Sequence, residues 1–243
     1  MSCCIITIFP EMFNAINHYG ITGKAIQKKK IDLKYLNLRE FSKNKYKSID
    51  DRPYGGGPGM LISLEPLWLA IKHAKSLLKD ATVIYLSPQG KKFKQNKILE
   101  LIKKKKIIFI CGRYRGIDQR IIDCLINEEW SIGDYILTGG ELAAMVIIDA
   151  IARFIPGVIT KKSIKEESLY NDLLDYPNYT RPKNIYNMRV PKILLSGDHE
   201  KIRLWRLKKS IEKTLEKRPD LLLKKNLNQE EKKILNQLKK LKK

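Results

Sequence analysis

The sequence has few of the residues that most often form metal sites, disulfides and catalytic triads. There are three histidines, at positions 18, 73 and 199, and four cysteines, at positions 3, 4, 111 and 124. No two cysteines form a CxxC pair, and their spacing matches no zinc site. We therefore expect reduced cysteines that each act as a small core residue, no His or Cys metal ligands and no Ser-His-Asp triad. A cytoplasmic protein fits this cysteine usage.

Long hydrophobic runs are also missing. No apolar stretch reaches the roughly 18–20 residues that a membrane span requires, and residues 1–5 lack the basic region of a signal peptide. The sequence therefore predicts no membrane-spanning segment and no signal peptide. Hydrophobic residues make up 43% of the 243 positions and charged residues 30%, which argues against a wholly disordered chain.

Acidic residues are scarce relative to basic ones. Lys and Arg total 48 against 26 Asp and Glu, which gives a formal net charge of +22. Residues 201–243 alone contain 13 Lys and 3 Arg against 5 acids, so half of the excess lies in this segment. Such a balance favours a polyanionic partner, either nucleic acid or an anionic membrane surface. The alternative explanation of the excess charge is a generally Lys-rich composition, which places lysines on solvated faces.

Residues 1–157 alternate between short apolar runs and helical periods. This alternation predicts an α/β fold, a mostly parallel sheet with helices on both faces. The predicted strands are residues 3–9, 33–38, 82–86 and 107–111, and the predicted helices are residues 11–29, 63–79, 117–126 and 141–154.

The pattern breaks after Pro156-Gly157. We expect a polar linker over residues 158–170 and a small, basic, helical C-terminal domain over residues 171–243. Helical periods resume at residues 202–215 and 229–241, the second of them Lys-rich and amphipathic.

Four loops that contain glycine follow or precede these elements, at residues 52–60, 86–90, 112–116 and 132–140. Loops at strand ends are where α/β proteins place ligands. Glycine backbone and apolar side chains suit a flat heterocycle held by backbone hydrogen bonds. Each loop alone would be an ordinary turn in most proteins, and the first is not a P-loop, since no Gly-Lys-Ser/Thr follows.

Taken together and in order, these motifs resemble the bacterial tRNA (guanine-N1-)-methyltransferases, which modify the guanine just 3′ of the anticodon. The resemblance extends from Phe9 to about Leu222. It includes residues 9–13, 19–23, 50–60, 85–90, 112–114, 131–141, 153–157, 173–175, 179–182 and 194–197.

This resemblance implies that the segments around residues 85–90, 110–116 and 131–143 form a deep trefoil knot that binds S-adenosylmethionine. Knots are otherwise nearly absent from proteins. The cofactor-binding residues implied are Tyr85, Leu86, Ser87, Pro88, Gln89, Gly90, Gly112, Tyr114, Arg115, Ile132, Gly133, Tyr135, Leu137, Gly139 and Gly140.

The reaction requires a general base, because guanine N1 carries a proton at neutral pH. The family's base is the aspartate of a Glu-Asp-Ser stretch, which here reads Glu166-Glu167-Ser168. We therefore expect Glu167 to take the proton, the alternative being a solvated linker carboxylate. Arg153 matches the family's arginine near the guanine carbonyl, where a cation stabilises developing charge. The alternative role of Arg153 is that of a cation at the end of a helix, where it interacts favourably with the helix dipole. The two roles are compatible.

Two positions depart from the family's pattern. Arg115 stands where an acidic residue usually follows the tyrosine, a position associated with the charged end of the cofactor and with Mg²⁺ dependence. A cation pointing into the site would repel the cofactor's positive groups. The second departure is Ala143, which stands where the family has a proline. This replacement removes no side-chain function.

For the substrate, the resemblance implies contacts to the target and neighbouring guanines from Asp50, Gly59 and Asp175. The helix with Trp205 and Arg206 matches the family's tRNA-docking element. A Trp beside an Arg suits base stacking plus phosphate contact, and a core Trp under a solvated Arg is the alternative. The family is a homodimer whose active site lies at the subunit interface.

Two other functions remain open from the residues. One is a catalytically impaired RNA-binding protein that kept the fold, for which Glu167 and Arg115 are the motivation. The other is a general binder of anionic surfaces, which predicts no preference for tRNA over unrelated RNA.

Overall fold

The structure, a computed structural model, describes residues 1–160, 168, 169 and 171–241. Residues outside these ranges include Glu167, the expected general base. The chain divides into two compact units, residues 1–160 and residues 161–243, which are described separately.

The first unit is built on a five-stranded sheet with the order β2-β1-β6-β5-β7, in which every pairing is parallel. A short antiparallel ladder, β3-β4, lies apart from it. The strands are β1 (Ser2–Thr7), β2 (Asp32–Asn37), β3 (Asp50–Asp51), β4 (Leu61–Ile62), β5 (Thr82–Lys92), β6 (Lys106–Cys111) and β7 (Glu128–Ser131).

Its helices are α1 (Asn14–His18), α2 (Gly20–Gln27), α3 (Leu64–Leu77), α4 (Ile98–Lys104), α5 (Gln119–Leu125) and α6 (Glu141–Phe154). The single helix expected at residues 11–29 was wrong. A 3₁₀ turn at Pro10–Phe13 precedes α1, and the chain breaks where Tyr19 is extended (φ −119°, ψ 159°) and Gly20 takes a φ of +68°.

Both faces of the sheet are covered, as the sequence predicted. In β1, Cys3 and Ile5 pack into a core with α4 and α6, while Cys4 and Ile6 pack on the opposite face with α3 and α5. A strand alternates its side chains between faces, so near-continuous apolar strands mark a sheet buried on both sides. The predicted α/β class with a mostly parallel sheet is confirmed.

One cysteine differs from expectation. Cys3, Cys4 and Cys111 are buried, but Cys124 is exposed on α5, so it is not a core residue. Burial raises the pKa of the Cys3 thiol to about 12 and that of Cys4 to about 11, because an apolar environment disfavours the thiolate.

The second unit contains the helices α7 (His199–Lys217), α8 (Pro219–Lys224) and α9 (Gln229–Leu241). Its core is a small cluster of Leu173, Ile211, Leu222, Leu235 and Leu238. Helix α7 begins earlier than predicted because the Asp198 carboxylate accepts a hydrogen bond from the backbone N–H of Lys201, which is an N-cap.

A two-stranded hairpin in the second unit was not predicted. It pairs β8 (Asn184–Ile185) with β9 (Met188–Arg189). The two turn residues, Tyr186 and Asn187, both have positive φ, 48° and 62°, which is the conformation of a tight two-residue hairpin turn. Tyrosine seldom occupies such a position. Asn187 was therefore the only residue of this turn that indicated a hairpin in the sequence, and the indication was weak.

None of the helices that the structure describes combines the length and the apolar character needed to cross a bilayer.

Candidate active site

A cavity of about 430 Å³ lies at the carboxyl end of the sheet, where residues 85–89 of β5 meet the segments that follow β6 and β7. Three of the four loops singled out in the sequence converge here. All of the implied cofactor residues except Gly90 line it: Tyr85, Leu86, Ser87, Pro88, Gln89, Gly112, Tyr114, Arg115, Ile132, Gly133, Tyr135, Leu137, Gly139 and Gly140.

Gly90 is placed differently from its neighbours. Strand β5 continues past the predicted end, and its pairing with β7 shifts register between Leu86 and Lys91. A Cβ at Gly90 would lie 2.4 Å from the backbone nitrogen of Trp130. The absence of a side chain at Gly90 therefore permits close strand contact, and this residue does not line the cavity.

Glycines allow two of the loops to touch. The N–H of Gly140 donates to the carbonyl of Gly112 at 2.9 Å. A Cβ at Gly140 would lie 2.8 Å from the Cα of Cys111, and one at Gly112 would lie 2.8 Å from the Tyr85 ring. Any side chain at these positions would force the wall of the cavity to move.

A buried ion pair fixes the base of this wall. Arg113 Nε donates to the Glu141 carboxylate at 3.1 Å, and the Thr7 hydroxyl donates to the other oxygen of Glu141 at 2.8 Å. The Arg113 guanidinium also lies 4.7 Å from the centre of the Phe9 ring. Glu141 is fully buried, and a buried carboxylate persists because it is paired and hydrogen-bonded.

Tyr85 and Glu129 lie together at the cavity wall. Burial, with a further contribution from the Glu129 carboxylate, raises the pKa of Tyr85 to about 12, so its phenol stays protonated at neutral pH. Glu129 is the only carboxylate that lines the cavity within the described part of the chain. It was not predicted, because β7 is rich in charge and does not read as a buried strand.

Trp130 and Ser131 also line the cavity. Neither was among the implied cofactor-binding residues, although Ser131 opens the segment at residues 131–143 that the resemblance assigned to the knot. Trp130 is buried, and its indole N–H donates to Glu128 at 2.8 Å. The available signal was their position immediately before the loop at residues 132–140.

Arg115 lies at the cavity edge, and its guanidinium is engaged. Its Nη1 donates to the carbonyl of Pro58 at 2.8 Å. Gly59, implied as a substrate contact, lies under the arginine stem. Asp50, also implied as a substrate contact, pairs with Ile62 across the β3-β4 ladder, which flanks the loop at residues 52–60.

The other implied site residues fall into three places. Arg153 lies in the last turn of α6. Asp175, Trp205 and Arg206 belong to the second unit. Glu167 lies outside the described residues.

In the second unit, aromatic rings accompany the tRNA-docking candidates. The Trp205 ring is half-buried, lies outside the unit's core cluster and has its centre 6.5 Å from that of Tyr179. The Arg206 guanidinium lies 4.8 Å from the centre of the Tyr176 ring. The Asp175 carboxylate accepts a hydrogen bond from the Asn178 amide at 2.8 Å.

Among residues 1–160, 168–169 and 171–241, no group of three or more His, Cys, Asp or Glu side chains is arranged to hold a metal ion.

Comparisons with known proteins agree with the pattern of loops. The family model described as tRNA (Guanine-1)-methyltransferase TrmD matches residues 1–224. A protein named tRNA (guanine-N(1)-)-methyltransferase from Buchnera aphidicola subsp. Schizaphis graminum is 72% identical over 99% of this chain and 92% of its own length. Proteins of the same name are 73% identical in Buchnera aphidicola subsp. Acyrthosiphon pisum, over 91% of this chain and 94% of theirs, and 54% identical in Histophilus somni strain 2336, over 97% of both. The chain therefore belongs to the tRNA (Guanine-1)-methyltransferase TrmD family.

Proposed function

We propose that the protein transfers a methyl group from S-adenosylmethionine to N1 of guanine in tRNA, at the position immediately 3′ of the anticodon. The observation that carries this proposal is the cavity, in which the family's three glycine-bearing loops converge. Family membership over nearly the whole chain supports the same reaction.

The cavity residues fit this cofactor. A volume of about 430 Å³ falls in the range of small-molecule sites. Gly112 and Gly140 leave backbone exposed where a Cβ would collide with the wall, and Leu86, Ile132 and Leu137 give apolar surface for a flat ring. S-adenosylmethionine would supply a methyl group bonded to a positively charged sulfur. The convergence of these loops also supports the trefoil knot implied by the sequence.

The charges around the cavity are compatible with a cationic ligand. Glu141 neutralises Arg113, and Arg115 donates to the Pro58 carbonyl. Glu129 therefore offers the negative charge that balances the positive cofactor. This arrangement offsets the repulsion expected from the presence of Arg115 in place of an acid.

The general base of the reaction is Glu167, which lies outside the described residues. Glu167 removes the proton from guanine N1 while the methyl group is transferred. Arg153 stabilises the negative charge that develops on the guanine carbonyl oxygen. Asp50, Gly59 and Asp175 position the target guanine and its neighbour, so that attack is in line with the methyl–sulfur bond.

Residues 171–243, which follow a linker at residues 158–170, serve as the tRNA-binding domain. Its helices expose Lys and Arg, which neutralise phosphate. Trp205 and Arg206 provide a stacking ring beside a cation. The target guanine must leave its stack to reach the cofactor.

The active protein is a homodimer whose active site is completed at the subunit interface. Helix α6 supports this assembly, because Leu142 and Val146 on it are 45% and 49% exposed, and Ile136 in the loop before it is 81% exposed. Exposed apolar side chains grouped in this way are typical of an interface. Isolated monomers should be inactive.

The test is single-turnover methyl transfer from labelled S-adenosylmethionine to an unmodified tRNA transcript, with and without Mg²⁺. One transcript carries guanine just 3′ of the anticodon, and its control carries adenine there. We expect methylation at N1 of that guanine alone. Absence of transfer, with tight and salt-sensitive tRNA binding intact, would contradict the proposal and indicate an impaired RNA-binding protein.

A further inference from the structure

The side chain of Arg115 is held against the glycine loop, residues 55–60, which reaches it from a distant part of the sequence. Its Nη1 donates to the carbonyl of Pro58 at 2.8 Å, and its backbone N–H donates to the carbonyl of Met60 at 3.0 Å. In the part of the chain that the structure describes, no carboxylate lies within ion-pair distance of this guanidinium. The carbonyl of Pro58 is therefore its polar anchor.

Two glycines leave room for this contact. A Cβ at Gly59 would lie 2.7 Å from Cδ and 2.8 Å from Cγ of Arg115, and a Cβ at Gly57 would lie 3.3 Å from Nη1. Both glycines also have positive φ, +84° and +103°. The arginine stem thus lies flat on backbone that only glycine provides at these positions.

Backbone contacts extend the same junction. The N–H of Ile62 donates to the carbonyl of Gly116 at 2.9 Å, and Ile62 forms a parallel bridge with Ile117. Tyr114, just before Arg115, has a φ of +57°, a conformation that is costly outside glycine. The loop at residues 112–116 therefore lines the cofactor cavity with one edge and holds the glycine loop with the other.

We propose that Arg115 is a positioning residue, which clamps the glycine loop in the conformation that receives the substrate guanine. This inference rests on the proposed function and deepens it. Arg115 acts on the tRNA site through Pro58 and Gly59, because its guanidinium donates to the Pro58 carbonyl and its stem lies against Gly59.

The test compares Arg115→Met, which keeps the apolar stem but loses the hydrogen bond, with Arg115→Lys and Arg120→Met. Arg120 is exposed and pairs with its neighbour Asp118, so its variant removes the same charge without touching the junction. The first readout is hydrogen exchange of the Ile62 and Arg115 amides in the free protein, which needs no activity. The second is single-turnover transfer at varied tRNA concentration, with the cofactor Kd measured by calorimetry.

For Arg115→Met we expect exchange at both amides to rise about tenfold, as for the loss of one charge-assisted hydrogen bond. The tRNA concentration at half-maximal rate should rise by about the same factor, while the cofactor Kd changes less than about twofold. Arg115→Lys should restore part of both effects, since an ammonium also donates. Arg120→Met should leave all readouts unchanged.

A shifted cofactor Kd with unchanged amide exchange would overturn the proposal and assign Arg115 to the cofactor cavity. If Arg115→Met and Arg120→Met weaken tRNA binding equally, Arg115 contributes only its positive charge, and the proposal is overturned. If Arg115→Met fails to fold, Gly59→Ala provides the same test, since its Cβ displaces the arginine stem and should release the same amides. If the unaltered protein transfers no methyl group, the proposed function fails while the exchange data still decide whether Arg115 holds the loop.

Discussion

The two compact units of this chain differ in where they place their polar and charged groups. In the first unit, the arginines at the cavity have defined partners: Arg113 forms an ion pair with Glu141, and Arg115 donates to the Pro58 carbonyl. In the second, basic side chains greatly outnumber acids over residues 201–243, and the core is limited to a few leucines and one isoleucine.

Under the proposed function, this difference corresponds to two kinds of ligand. A small cationic cofactor is selected by an enclosed, shaped site with few unbalanced charges. A polyanion is bound by surface cations that release counterions and need little enclosure. Substitutions in the second unit should therefore weaken tRNA binding without changing cofactor affinity, whereas substitutions in the lining of the cavity should change cofactor affinity.

The largest expected effect falls on Glu167, which lies outside the described part of both units. Glu167→Gln should reduce the single-turnover rate by about 10² to 10⁴, the usual contribution of a general base. The neighbouring Glu166→Gln is the matched control and should retain the rate. Full activity of Glu167→Gln would assign the proton transfer to another group.

Trp205→Ala should weaken tRNA binding by about 10- to 100-fold, as expected for the loss of one stacked base. The cofactor Kd, measured by calorimetry in the same samples, should not change. Trp205→Phe keeps an aromatic face and should recover much of the affinity. An unchanged tRNA Kd for Trp205→Ala would remove Trp205 from the proposed docking surface.

Glu129→Gln should raise the cofactor Kd by about tenfold, because the cavity loses its one negative charge among the described lining residues. Glu128→Gln is the control, since Glu128 bonds Lys104 and Trp130 and does not line the cavity. Calorimetry of the two variants distinguishes them. Equal affinities would show that the positive cofactor is balanced elsewhere.

Two glycine substitutions compare the close packing at the cavity of the first unit with the open surroundings of a glycine in the second. Gly140→Ala introduces a collision with the Cys111 backbone and should cost about 1–3 kcal/mol of stability, together with cofactor binding. Gly197 has a φ of +74° but open space around it, so Gly197→Ala should cost about 1–2 kcal/mol through backbone strain alone. Denaturant midpoints and calorimetry test both. Cofactor binding that survives Gly140→Ala would contradict the close loop contact.

The last expected effect is a pH dependence that belongs to the first unit. The folded-state pKa values of Cys3 and Cys4 are raised to about 12 and 11 from 9.0. Above pH 9 the unfolded chain loses these protons while the folded chain keeps them, so stability falls as pH rises. The Tm of the Cys3→Ala/Cys4→Ala variant should therefore decline less between pH 8 and pH 10.5 than that of the parent. The exposed Cys124→Ala control should follow the parent.

Much of the fold could be read from local sequence. The helix at Glu141–Phe154 and the strand at residues 107–111 follow directly from apolar periodicity and β-rich composition, because burial on both faces of a parallel sheet leaves a continuous apolar run. Strand β7 could not be read in this way. Its Glu128 and Glu129 are polar, and its place at the sheet edge depends on pairing with β5.

The loops that carry the candidate site were also recognisable from sequence, because glycine at strand ends indicates where backbone must approach a ligand or another loop. What the sequence by itself determined is therefore the fold class, the family and the identity of the ligand-bearing loops. Only the tertiary structure decided that Gly90 supports a strand pairing, that Glu129 faces the cavity, and that Arg115 holds the glycine loop. Each of these depends on contacts between segments far apart in the chain, and local propensity carries no information about such contacts.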